Sequence, residues 1–311
     1  MCFVAVAEGD LETLKRMHTE QAADLHTGDA EEGDTPFGVA CRFGHLEMAQ
    51  WMVEQGVAMD ARNNLGDTAL HEASLNGHLP VVEWLLTKLP ASLCDAPTSE
   101  GMTPICYASL QGHVPVIECL AAAGSSLTHT NGQGHGLMHL ACSNGKLEAA
   151  KKLRALGVTG DSTDLQERTP LHIAAGASHV GVSRWLVEDF GQSVDAADDS
   201  GSTPLHFACA SGDVTVAEWL LDAGANAAVT NSDGNTPMHY ASQAGVEKLV
   251  RALLPKAGVD LACKNADGDT PMLLACFNGH VDMCTLLVEL GQPLDAVNSA
   301  GCSGLLQVMD G

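Results

Sequence analysis

One alignment constrains this chain more than any motif in it. Stacking the Thr-Pro-like pairs gives GDTPFGVACRFGH from 33, GDTALHEASLNGH from 66, GMTPICYASLQGH from 101 and GHGLMHLACSNGK from 134. The series continues with ERTPLHIAAGASH from 167, GSTPLHFACASGD from 201, GNTPMHYASQAGV from 234 and GDTPMLLACFNGH from 268. The anchors stand at 35, 68, 103, 136, 169, 203, 236, 270 and 303, so successive spacings are 33, 35, 33, 33, 34, 33, 34 and 33. A period of this length means that one supersecondary unit is copied along the chain, and that each copy buries its apolar face against the next. Any side chain that looks chemical can therefore be weighed against its counterparts in the other copies.

Each unit holds two short helical patterns. The first is Ala-rich and opens at Thr-Pro, since a hydroxyl caps a helix and proline suits its first turn. The second, as in LPVVEWLL or VTVAEWLLDAG, has apolar residues at helical spacing and ends near a glycine such as Gly56, Gly124, Gly157 or Gly224. Segments such as NSDGN at 231–235 supply the residues of a tight turn or hairpin tip. TPLH stands intact at 169–172 and 203–206, and as TPMH at 236–239.

These features resemble the ankyrin repeat, with about nine copies covering nearly the whole chain. The resemblance implies an all-α repeat solenoid, a curved array of helix-turn-helix units joined by β-hairpin loops. It also implies that the first helices line a concave inner face, the second helices cover the convex back, and the TPLH histidines tie neighbouring hairpins together.

Several departures carry expectations of their own. Gly136 and Leu137 replace Thr-Pro, and Glu167 replaces the turn glycine, so the hairpins around repeat five are expected to be irregular. The 35-residue spacing falls at KLPASLCDAPTSEG and is expected to bulge outward as a loop. Residues 1–32 read as a capping repeat with both helices and a loose first hairpin, 33–300 as repeats two to nine, and 301–311 as the start of an incomplete tenth. That break motivates an alternative to a self-contained adaptor: the recognition arm of a larger enzyme or channel, truncated at its C-terminus.

With Lys plus Arg at 15 against Asp plus Glu at 39, the net charge of −24 repels phosphate backbones and favours partners with a basic surface over nucleic acid. No stretch approaches the roughly 18–20 apolar residues of a membrane span, and the N-terminus lacks a basic start, so neither membrane insertion nor a signal peptide is expected. Eleven cysteines without a signal read as free thiols, which places the chain in the cytoplasm, with the nucleus second.

His206 and Cys209, three apart on one helix face, are the most chemical-looking pair. The period dissolves them. The His206 slot elsewhere holds Gly38, His71, Cys106, His139, His172, His239 and Leu273, while the Cys209 slot accepts only Cys, Ser and Ala. The slots vary independently, as small-residue packing and a local hydrogen bond allow, and a zinc site would need about four ligands. Ten of the fourteen histidines occupy two repeat slots, at 71, 139, 172, 206 and 239 and in the inter-helix turn at 45, 78, 113, 179 and 280. Trp51, Trp84, Trp185 and Trp219 share one slot of the second helix, so those of adjacent units could stack along the back. Lys146, Lys151, Lys152 and Arg154 read as a solvated helix face, with an anion site the minority reading. No phosphate-binding loop, nucleophile elbow or zinc-protease motif is present, so no catalytic residue, cofactor or metal ligand is assigned.

Function then lies in positions the frame leaves free: the finger tips, the residue before the anchor Thr, and the pair before the inter-helix glycine. Large apolar groups gather there in repeats two to four, at Phe43, Leu65, Leu75, Met102 and Leu110, with Arg42, Asp34 and Asp67 as charged rim. His135 and Arg168 occupy the same kind of slot further on. The expected function is a non-catalytic, monomeric protein-interaction scaffold that binds partner proteins on these surfaces.

Overall fold

The computed structural model describes residues 2–20, 23–293 and 295–303. Among them are eighteen α-helices in nine antiparallel-type pairs and no extended strand. The helices are six to ten residues long, too short to persist alone in water, so their stability comes from packing. They fall into two compact units, Met1–Thr159 and Gly160–Gly311, a division that the repeat boundaries do not mark.

The first unit holds α1 (Cys2–Ala7), α2 (Leu11–Thr19), α3 (Pro36–Arg42), α4 (Leu46–Glu54), α5 (Ala69–Leu75), α6 (Leu79–Lys88), α7 (Pro104–Gln111), α8 (Val114–Ala122), α9 (Leu137–Ser143) and α10 (Leu147–Ala155). Each odd-numbered helix packs on the next odd-numbered one, from α1 through α9, and α8 lies between α6 and α10. The second unit repeats the scheme with α11 (Pro170–Gly176), α12 (Val180–Glu188), α13 (Pro204–Ser211), α14 (Val214–Asp222), α15 (Pro237–Gln243), α16 (Glu247–Leu253), α17 (Pro271–Phe277) and α18 (Val281–Glu289). Of the expected tenth repeat, residues 304–311 lie outside the described residues.

Aliphatic side chains build the core, as an aromatic content of 4% requires. Leu70, Leu85, Ile105 and Ile117 are fully buried in the first unit, and Leu205, Leu220, Leu253 and Leu287 in the second. The tryptophans do not stack on one another. Trp51 meets the edge of His18 at 5.6 Å, Trp84 meets Phe37 at 6.4 Å, Trp185 meets Phe190 at 5.3 Å, and the Arg184 guanidinium lies 5.7 Å from the Trp219 ring centre. Sharing a slot placed them one repeat apart, and their nearer neighbours within and between helices took up the rings.

The finger loops are closed turns. In each, the main chain doubles back through a hydrogen bond such as Asn63 N to Asp67 O (3.0 Å) or Asn231 N to Asn235 O (3.0 Å). The Asn63 and Asn231 Oδ1 atoms accept two further backbone N–H groups inside the turn, which is how Asn favours turns. Within each unit, one backbone hydrogen bond joins a finger to the next, as from Ser99 N to Leu65 O in the first and from Ser232 N to Ser200 O in the second.

The irregularities expected around repeat five do not occur. Gly136 adopts an extended N-cap conformation and bridges to Thr130. Glu167 takes the left-handed conformation itself, at φ 58°, and the Asp164–Arg168 turn still closes. The longer spacing does not simply bulge either: α6 runs ten residues, a 3-10 turn covers Ala91–Leu93, and Cys94 and Ala96 turn back into the core.

Candidate partner-binding surface

Two histidine ladders fix where the variable residues stand. In the first, His71, His172, His206 and His239 lie at the third helical position after their Thr. Their Nδ1 atoms accept the backbone N–H of Thr68, Thr169, Thr203 and Thr236 at 3.0–3.1 Å. That leaves the proton on Nε2, which donates to the carbonyl of the next finger: Met102, Ser202, Asn235 and Asp269 respectively, at 3.1–3.2 Å. Burial holds all four rings neutral, pushing His71 down to about 4 and lowering the other three as well. At the His206–Cys209 pair both ring nitrogens are therefore engaged, and the Cys209 thiol is fully buried and raised by burial. The pair is a hairpin tie and a packing residue.

The second ladder had no assigned role in the sequence, only a period. His45, His78, His113 and His280 reach back across the repeat boundary, and their Nε2 atoms lie 2.8–3.1 Å from the carbonyl oxygens of Ala7, Arg42, Leu75 and Gln243. Those carbonyls end the preceding first helix and have no partner within it. The approach demands glycine in the turn beneath: a Cβ on Gly44 or Gly77 would sit 2.5 Å from the next histidine ring.

On this frame the residues expected to bind are placed very differently. Phe43, the residue after α3, is 48% exposed and stacks on His45; Leu65, at a finger tip, is 54% exposed. Leu75 and Leu110, near the ends of α5 and α7, are half-buried. Met102 is only 5% exposed and Asp67 only 8%, so neither offers a surface to a partner. Met102 sits beneath the fingers, where His71 binds its carbonyl and the Asn131 amide meets its sulfur. Burial raises the Asp67 carboxyl above its usual range, and the same burial, with that carboxyl nearby, raises the Tyr107 hydroxyl. His135 is half-buried and stacks on His139 at 5.7 Å. In the second unit Arg168 folds onto Asp164, with Nε 2.8 Å from Oδ2.

Arg42 is not a free rim charge. Its guanidinium grips Glu72 with two parallel bonds of 2.8 Å and also pairs with Asp34, while Glu32 lies 3.9 Å away. These partners hold it charged well beyond an ordinary arginine. Beside it opens a recess of about 540 Å³ with Phe3, Ala7 and Val39 on its apolar side and Asp29, Glu31, Glu32 and Asp34 on the other. With Arg42 neutralised by Asp34 and Glu72, the recess is acidic. The basic cluster on α10, by contrast, is compensated: Lys151 pairs with Glu148 and Lys152 with Glu118. No helix among the described residues is long and apolar enough to cross a membrane.

Comparison with known proteins agrees with this architecture. A family model described as "Ankyrin repeats (3 copies)" matches residues 2–96, 138–231 and 220–298. Over 68 residues the chain is 34% identical to a mouse (Mus musculus) protein named "Protein fem-1 homolog A-like", covering 22% of this chain and 10% of that protein. Over 63 residues it is 38% identical to "Protein phosphatase 1 regulatory subunit 27" of Homo sapiens and of Mus musculus, covering 20% of this chain and 40% of each relative. The matched portions are thus 10% and 40% of these relatives' own lengths. With the family model covering most of the chain and the helix pairs, finger turns and histidine ties all in place, this chain belongs to the ankyrin repeat family.

Proposed function

We propose that the protein is a non-catalytic binding module whose first unit captures a partner protein bearing basic and apolar residues. The reading rests chiefly on one juxtaposition: Phe43 and Leu65, both about half exposed on positions the repeat leaves free, in the same repeats as the acidic recess next to Arg42. Exposed apolar groups supply the area that a partner would cover, and the carboxylates supply direction and speed of encounter. Leu75 and Leu110 extend the apolar set. Met102, Asp67 and Arg42 support it from beneath by holding the fingers. His135 and Arg168 lie outside it. A relative that is by name a regulatory subunit fits a chain that acts through another protein.

The test uses an immobilised peptide array of fixed length, varying Lys/Arg and Leu/Phe content independently. Peptides rich in both should bind best, with affinity falling as added salt shortens the screening length from ~10 Å at 0.1 M toward ~3 Å at 1 M. A Phe43→Ser, Leu65→Ser variant should keep its helical circular dichroism and lose binding. Equal binding of acidic peptides, or undiminished binding by the variant, would place recognition elsewhere.

A further inference from the structure

Repeats two to nine each carry a small or β-branched residue on the first helix and another eight positions later on the second. Cys41 with Ala49, Cys142 with Ala150 and Cys209 with Ala217 are examples, all fully buried. Repeat nine departs from the pattern by carrying a thiol at both places, Cys276 on α17 and Cys284 on α18. Their sulfurs lie 3.3 Å apart, with the residues 3% and 7% exposed. A disulfide is ~2.05 Å long, so a relative movement of about 1.3 Å would join them.

The setting of α18 adds a second reason. Its Val281 and Val288 are 61% and 41% exposed, whereas Leu221, which fills the Val288 slot two repeats earlier, is 5% exposed. One side of α18 packs on α16; no described element covers the valines. A helix that leaves two valines this exposed is held by less buried apolar area, so it opens at lower free energy than one that covers them.

We infer that Cys276 and Cys284 form an oxidisable pair, a covalent modification site at which hydrogen peroxide installs an intra-repeat disulfide that fastens α18 to α17. In the first step the Cys284 thiolate attacks a peroxide oxygen. The O–O bond breaks, the sulfur becomes a sulfenic acid, and the departing oxygen leaves as water. In the second step the Cys276 sulfur attacks the sulfenic sulfur, the S–S bond forms, and a second water departs. Two thiols thus lose two electrons and two protons, and one hydrogen peroxide becomes two waters. Burial pushes the Cys284 thiol up to about 12, so the first step waits on the opening of α18, and the short sulfur–sulfur distance makes the second step fast.

The test treats the folded chain with hydrogen peroxide, removes it, blocks remaining thiols with N-ethylmaleimide in denaturant and maps the peptides. The expected result is a Cys276–Cys284 peptide lighter by two hydrogens, formed before Cys41, Cys142 or Cys209 becomes resistant to the blocker. In the oxidised protein α18 amides should exchange with solvent about tenfold more slowly. Cys284→Ala and Cys276→Ser place residues that the same slots hold in other repeats, so both should fold, and each should abolish the crosslink and the slowing. Full blocking of both thiols after oxidation would overturn the inference. So would a crosslink to the exposed Cys302 instead, or α18 exchange unchanged by oxidation.

Discussion

His71 lends the first unit a pH dependence whose size follows from its surroundings. Its ring accepts the Thr68 N–H, donates to the Met102 carbonyl, and is kept neutral by burial, with its pKa lowered from 6.5 to about 4. Because the folded-state value is depressed, the unfolded chain binds more protons between pH 6.5 and 4, and stability falls as pH falls through that window. At pH 5 the loss relative to pH 7.5 amounts to about 2 kcal/mol, and it levels off at about 3 kcal/mol below pH 4. The perturbation is His71→Leu, the residue that repeat nine carries at Leu273 in the same slot. The variant loses two hydrogen bonds and starts less stable, yet its stability should drop about 2 kcal/mol less than the native chain between pH 7.5 and pH 5. Urea unfolding measures this, read by Trp51 and Trp84 in a background where Trp185 and Trp219 are Phe, so that the signal reports the first unit. With a urea dependence of ~2 kcal/mol per molar, the two proteins' midpoint shifts should differ by roughly 1 M. Identical midpoint shifts would mean that His71 does not titrate across folding, and the reasoning about its burial would fail.

Two further outcomes follow from the packing. Gly77→Ala places a Cβ 2.5 Å from the His113 ring at φ 75°, whereas Gly124→Ala meets nothing within 4 Å at φ 95°. Thermal unfolding should show the second substitution costing about 1 kcal/mol for the left-handed backbone alone, and the first at least ~1 kcal/mol more. Arg42→Ala would leave the Asp34 and Glu72 carboxylates, 6% and 7% exposed, without their cation; a loss of about 3 kcal/mol is expected in urea unfolding, recovered in part by Glu72→Gln in the same chain.

Much of the fold was legible because a helix pair is local. Thr-Pro starts a helix, glycine turns it, and each repeat restates the message, so nine pairs emerged with their starts in register. Even Glu167, read as a disturbance, kept the turn, because the finger's hydrogen bonds and its neighbours outweigh the cost of one non-glycine residue in the left-handed region. What the period could not convey was which side chains meet. The second histidine ladder, the ring partners of the four tryptophans and the two facing thiols of repeat nine all depend on which atoms come together, from 5 residues apart at Trp185 and Phe190 to 47 at Phe37 and Trp84. Slot equivalence also misjudged the surface: Leu65 and Met102 were grouped together, yet one is 54% exposed and the other 5%.

The amino-acid sequence by itself determined the repeat, its helix boundaries, the family and the acidic character of the chain, since each follows from local propensity or simple composition. Only the tertiary structure decided which variable residues reach solvent, that Arg42 spends its charge on Asp34 and Glu72, and that Phe43 and Leu65 stay about half exposed. The reason is physical: exposure of a side chain belongs to the neighbours that cover it, and in a stacked protein those neighbours lie about one full repeat away.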